Sequence, residues 1–293
     1  MSEANIPRIV LGSVLYPYFE RIPQDHILKD KEELVKLVER CYHAGAKAFL
    51  FYLYNKEIVE IANSITESIP DILPMFLIKF DNMDHILSLL KELNKKPYIL
   101  FLSSEISDQR DTELIQRFKK ALGKHAEHIG IYSREPIGTV SQLITSNGDI
   151  KHFLIPFNLL GYGVQNRALL EMIINSSENI YYSSNPVADG KLKVRQALEY
   201  ISNHNIKGIL VELEDEEDML ETIKYGRYFL ETKDFLQITL EFEDITDVCE
   251  YCGIGMERYY PPSKSGGSYF YCPSCGHTKQ ITEVTYQEDK GKK

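Results

Sequence analysis

From its amino end the chain alternates short runs of β-branched and aromatic residues with longer stretches whose apolar positions recur every three or four residues. The apolar runs are RIVLG (8–12), AKAFLFY (46–52), PMFLIK (74–79), YILFL (98–102), HIGIY (128–132), HFLIP (152–156), NIYYS (179–183) and KGILVE (207–212). Between them lie amphipathic segments such as KEELVKLVERCYHAG (31–45) and KVRQALEYISNHN (193–205), each closing near a Gly or Asn as helices do. The spacing is too short for anything but compact βα units. Eight such units in succession predict a (β/α)8 TIM barrel, with an open doubly wound sheet as the alternative. No GxGxxG follows the first run, where the chain reads GSVLYPYF, and this weighs against a Rossmann dinucleotide fold.

The texture changes after Tyr228, where ETKDFLQITLEFEDITDV leads into the cysteine-rich tail. The expected division is a barrel over residues 1–240 and a small module over 241–293. The tail carries Cys249-x2-Cys252, nineteen residues, then Cys272-x2-Cys275, and each second cysteine is followed by a glycine, Gly253 or Gly276. A CxxCG knuckle turns two thiolates toward one point and the glycine permits the turn, so two knuckles predict a tetrahedral four-sulfur site. Pro261, Pro262, Gly266 and Gly267 read as a hairpin tip, and YFY (269–271) as a strand. The pattern resembles a zinc ribbon. Such a set also suits a single iron, but closed, redox-silent zinc is its commoner occupant. His277 is not needed for a full shell and reads as a surface residue. A ribbon this small cannot fold on buried area alone, and structural zinc supplies ~10–16 kcal/mol in comparable peptides.

Composition narrows the classes further. With 33 Lys and Arg against 43 Asp and Glu the net charge is −10, so no broad basic footprint for nucleic acid exists. The ribbon is balanced too, Arg258 and Lys264 facing Glu250 and Glu257. No run approaches a membrane span and no cationic start precedes an apolar one, so the expectation is a cytoplasmic protein without a membrane partner. In a reducing compartment paired CxxC cysteines favour metal over disulfide, and lone Cys41, on a helical apolar face, reads as a core thiol. His43, His125 and His128 read as capping or surface residues and His152 as a strand-edge residue.

HFLIPFNLLGYG (152–163), NIYYSSNPVADGKL (179–192) and QALEYISNHNIKGILVE (196–212) resemble the second half of aldo-keto reductases. IPRIVLGS, HAGAKAFLFYLYNKE and PMFLIKF resemble, more faintly, segments of the first half. The resemblance covers residues 7–229 and implies the same barrel. It also implies hydride transfer from NADP or NAD cofactors to a small carbonyl substrate, with the family's tyrosine falling on Tyr54 and its lysine on Lys79. Both follow predicted strands at their carboxyl ends, where barrel sites assemble. An ammonium beside a phenol favours the phenolate and brings it toward working pH.

Other positions depart from the pattern. The family's aspartate falls on Phe49 or Leu50 and its histidine on Ser103 or Ser104, which leaves Lys79 without an evident partner. The residues that hold the nicotinamide amide correspond to Tyr132, Ser133 and Leu154. Gly190 and Lys191 in the seventh loop are placed to open a helix toward a phosphate. The eighth loop, ELEDEEDMLE (212–221), carries seven acids, which would repel phosphates or else form the solvated start of a helix. Two functions follow as expectations: an NAD(P)H-dependent oxidoreductase, or a non-catalytic barrel that docks a protein partner through the ribbon.

Overall fold

Eight parallel strands follow one another around the sheet in sequence order, and the first pairs with the last. They are β1 (Ile9–Gly12), β2 (Ala48–Tyr52), β3 (Leu73–Ile78), β4 (Ile99–Leu102), β5 (His128–Tyr132), β6 (His152–Ile155), β7 (Ile180–Ser183) and β8 (Ile206–Glu212). The closing ladder sets Ile9 against Ile209 and Gly12 against Glu212. Closure excludes the open sheet. This computed structural model describes residues 6–15, 30–79, 82–146, 149–213, 216–232, 247–249, 251, 255–259, 269–272 and 275–280. The chain divides into two compact units, 1–237 and 238–293.

The strands are apolar throughout because both faces are covered. Alternate residues point inward: Val10, Ala48, Leu50, Tyr52, Met75, Leu77, Ile99, Phe101, Tyr132, Leu154, Tyr182 and Leu210 form one buried cluster. The intervening residues, among them Phe49, Phe76, Ile131, Phe153 and Ile209, are also fully buried. At Gly12 the backbone of β1 lies against that of β2 with no room for a side chain. Its φ is +152°, and a Cβ there would stand 2.0 Å from the Leu50 carbonyl oxygen.

Helices alternate with the strands. They are α1 (Lys31–Ala44), α2 (Lys56–Ser68), α3 (Met83–Glu92), the single turn α4 (Ser104–Ser107), α5 (Thr112–Leu122), α6 (Pro136–Ser146), α7 (Arg167–Asn175), α8 (Val194–Ser202) and α9 (Glu216–Gly226). A π-helical turn, Arg227–Thr232, continues α9. Their starts are written in side chains that accept from otherwise orphaned N–H groups: Asp30 for α1, Asn55 for α2, Asn82 for α3, Asp111 for α5 and Asn166 for α7. The buried stripe of α1 is Leu34, Leu37, Val38 and Cys41, the three-and-four spacing of one helical face. Cys41 is the core thiol expected, and burial pushes its pKa up to about 11.

The second unit is built on a four-stranded antiparallel sheet in the order β12-β11-β10-β9, with β9 Asp247–Val248, β10 Gly255–Tyr259, β11 Tyr269–Tyr271 and β12 Thr278–Gln280. YFY is a strand, as its sequence suggests, and pairs with β10 through Tyr259↔Tyr269 and with β12 through Tyr271↔Thr278. The expected hairpin tip at 261–267 lies outside the described residues. Among the described residues no helix is long and apolar enough to cross a membrane.

Candidate functional site

The barrel's carboxyl-terminal mouth gathers most of the polar side chains singled out above. Tyr54 stands two residues beyond β2, partly buried against the interior cluster, and its carbonyl oxygen lies 3.1 Å from His85 Nε2. Lys79 directly follows β3. It has a partner, contrary to the sequence expectation: its Nζ lies 3.7 Å from Glu105 Oε1 on α4, just past β4. The carboxylate comes from a different strand end than the resemblance implied. Phe49 and Leu50 are indeed apolar and buried, Phe49 on the outer face of β2 and Leu50 inside.

The segment after β4 also shapes the end of β5. Ser103 is fully buried, and its Oγ has no hydrogen-bond partner among the described residues. Ser107 Oγ donates to the carbonyls of Ser103 and Tyr132. Asp108 accepts from the Ser133 hydroxyl, from the Arg134 N–H at 2.9 Å and from Thr139 Oγ1 at 2.8 Å. Ser133 Oγ in turn accepts from the Glu135 N–H at 3.1 Å. The hydroxyl of Ser133 is therefore committed to the protein, and what Ser133 fixes is the course of the loop.

Arg134 leans back over the mouth, its Nε donating to the Tyr132 hydroxyl at 3.4 Å. Burial pushes the Tyr132 phenol above its ordinary pKa, against the pull of Arg134, so it stays protonated. The guanidinium's own pKa is raised, first by that hydrogen bond and the Tyr132 charge, with smaller contributions from Tyr52 and Glu105. The bond to Tyr132, whose ring belongs to the interior cluster, places the Arg134 Nε over the end of β5.

On the opposite side of the mouth, Asn158 ties two loops together. Its Nδ2 donates to the carbonyls of Tyr162 and Asn185, and its Oδ1 accepts from the Tyr162 N–H. Ala188, Asp189 and Gly190 have φ of 52°, 54° and 71°, a left-handed turn held by Asn185 and Asp189 through paired hydrogen bonds. Gly190 and Lys191 thus lie in the turn before α8 rather than opening the helix, which starts at Val194 with Lys193 at its N-cap and no side-chain cap. Lys191 Nζ sits 3.3 Å over the Tyr162 ring. The acidic run is a helix start: Glu216, Glu217 and Asp218 occupy the first turn of α9, and Arg40 meets Glu216 with two hydrogen bonds of 2.6 and 2.9 Å.

The other end of the barrel corrects the reading of His152. A closed barrel has no strand edge there, and the residue is 2% exposed, its ring stacked on His128 at 4.6 Å between ring centres. Burial, with the like charge of His128, pushes its pKa down to about 3. His152 Nδ1 and the Tyr182 hydroxyl are buried without partners among the described residues.

In the second unit, Cys249, Cys272 and Cys275 bring their sulfurs within 4.8 Å of one another. Cys249 and Cys275 stand 3.5 Å apart, far longer than the ~2.05 Å of a disulfide and near the ~3.8 Å edge of a tetrahedron with 2.3 Å metal–sulfur bonds. The Gly276 N–H donates to the Cys272 carbonyl with Gly276 at φ 75°, the knuckle geometry its sequence calls for. Cys252 lies outside the described residues. Tyr251 is 73% exposed and meets the His277 ring edge-on at 4.5 Å.

Sequence reasoning missed Glu105, Arg134 and the clamp at Asp108. The signal was available: SSE follows YILFL and SRE follows HIGIY, polar residues at the carboxyl ends of strands.

No family model and no curated protein matches the sequence. Solved structures do. A putative 2,5-diketo-D-gluconic acid reductase B is similar over 78% of this chain and 85% of its own, with a TM-score of 0.57 and 16% identity. A putative aldo-keto reductase from Pseudomonas aeruginosa aligns over 74% and 88%, TM-score 0.54, 13% identity. The Bombyx mori aldo-keto reductase in complex with NADP aligns over 75% and 84%, TM-score 0.52, 13% identity. The chain is a (β/α)8 barrel with a polar site at its carboxyl-terminal mouth. Its barrel is the one that aldo-keto reductases share, a likeness of fold.

Proposed function

We propose that the barrel is an NAD(P)H-dependent oxidoreductase that reduces a small carbonyl compound, with Tyr54 as proton donor. The observation that carries the reading is the pairing of Lys79 with Glu105 past the ends of β3 and β4, with Tyr54 just past the end of β2 against the interior cluster, in a barrel shared with aldo-keto reductases. The nicotinamide, when bound, supplies the hydride. Tyr54 gives its proton to the carbonyl oxygen as negative charge grows there, and the Lys79 ammonium favours the phenolate left behind. Glu105 holds Lys79 in place. The resemblance places the family's histidine on Ser103 or Ser104, and Ser103 Oγ is buried away from the mouth, so it supplies no hydrogen bond to that oxygen.

The seventh loop fits a dinucleotide's phosphates: a Cβ on Gly190 would meet nothing within 4 Å, Lys191 brings a cation, and α8 lacks a side-chain cap. Ser133 acts by fixing its loop, because its hydroxyl is spent on Asp108. Calorimetric titration with NADPH and NADH tests the reading, followed by a carbonyl-reduction assay on Tyr54→Phe. Micromolar binding and loss of turnover in the variant support it; no heat at millimolar cofactor, or full turnover in the variant, removes it.

In the second unit, Cys249, Cys252, Cys272 and Cys275 hold one structural zinc ion, favoured by the sulfur spacing. A second reading, in which the ribbon docks a protein partner, draws on the exposure of Tyr251 beside His277. Comparing partners retained by the full chain and by one ending at Val248 tests it, and identical sets would count against it.

A further inference from the structure

We propose that Arg134 binds a carboxylate, so that the mouth takes a carbonyl compound carrying one carboxylate group; this deepens the reductase reading above and rests on it. The unfilled hydrogen-bonding capacity around the mouth is weighted to donors. Arg134 is exposed just past the end of β5, and the Tyr132 hydroxyl accepts from its Nε at 3.4 Å, which leaves the phenol its own proton to give. The terminal nitrogens of Arg134 donate to nothing among the described residues. Donors grouped in this way suit an anion and a carbonyl oxygen.

Position and rigidity support a binding role. Asp108 takes the Arg134 N–H and the Ser133 hydroxyl, and Ser107 takes the carbonyl of Tyr132, so the backbone on both sides of Ser133 is held from the segment after β4. The base of the Arg134 side chain is thus fixed by its backbone, and its Nε is held by the Tyr132 hydroxyl. Its planar fork matches a carboxylate with two parallel hydrogen bonds, which Lys79 cannot offer. One cation beside a neutral phenol balances one negative charge, which suits a single carboxylate better than a doubly charged phosphate.

The test compares 4-carboxybenzaldehyde with 4-methylbenzaldehyde, using the full chain, Arg134→Met and Arg134→Lys. Turnover with NADPH and equilibrium binding of each aldehyde by ligand-observed NMR are both measured. The expected result is a preference of about tenfold to a hundredfold for the carboxylate in kcat/KM, collapsing toward unity in Arg134→Met and partly kept in Arg134→Lys. Turnover with no preference, or with one that Arg134→Met leaves intact, overturns the proposal while the reductase reading stands. Without turnover on either compound, the calorimetric titration with NADPH and NADH decides whether the reductase reading stands. The binding arm then decides: tighter binding of the carboxylate that Arg134→Met abolishes upholds the anion site, and equal binding overturns it.

Discussion

The Lys79 ammonium and the Glu105 carboxylate meet at 3.7 Å across the ends of β3 and β4, with the two side chains 33% and 54% exposed. A pair so exposed contributes little to stability, ~1 kcal/mol at most. Glu105→Gln should therefore leave the denaturation midpoint nearly unchanged while lowering carbonyl turnover about tenfold, because Lys79 loses the group that holds it at the strand ends. Denaturant titration and kcat measured on one preparation check both halves. Equal losses in stability and turnover would reduce the pair to a structural contact.

Gly12 sits where β1 presses on β2, and the methyl of an alanine would stand 2.0 Å from the Leu50 carbonyl oxygen, which is backbone and cannot swing aside. Gly12→Ala is expected to cost about 3 kcal/mol or more. Gly190→Ala has open space around its Cβ and carries only the left-handed penalty of about 1 kcal/mol. Urea unfolding of the two variants side by side checks the contrast.

The imidazole of His152 has a folded pKa of about 3 because it is buried, against about 6.5 in the unfolded chain. A depressed histidine lets the unfolded state bind the extra proton. The stability it protects is fully present above pH 6.5 and falls by about 1.4 kcal/mol per pH unit as the pH drops toward 3. His128, also lowered by burial, adds to the slope, whereas Glu199, raised by burial, opposes it at acid pH. His152→Phe should flatten the curve of stability against pH below 6.5. An unchanged slope would place the acid sensitivity elsewhere.

Metal analysis of the purified protein should find one zinc per chain, and Cys272→Ser should lose it. With metal removed by a strong chelator, the cysteines of the tail become open to alkylation. Cys41 stays unmodified while the barrel is folded, since it is fully buried and its thiol is pushed up to about 11. Mass spectrometry of alkylated peptides reads all of this. A zinc-free protein with the same tail reactivity would reject the metal centre.

The barrel was legible because its signal is repeated: all eight apolar runs became strands, each within two residues of its expected bounds. Closure was less legible, since pairing of Ile9 with Ile209 leaves no local mark in either segment. Of the site, what the resemblance made legible was position: Tyr54 and Lys79 do follow the ends of β2 and β3. Glu105 escaped because it meets Lys79 from past the end of β4, a proximity in space with no trace in spacing. His152 was misread because an apolar run with a histidine at its start looks the same at a sheet edge as in a barrel interior. The acidic run at 212–221 was ambiguous until Arg40, far away in sequence, was seen to hold Glu216.

The β1–β8 seam also bears on how the chain is made. β1 is made well before its partner β8, so its hydrogen-bonding edge stays open through the synthesis of every unit between them, an exposure of the kind that chaperones cover.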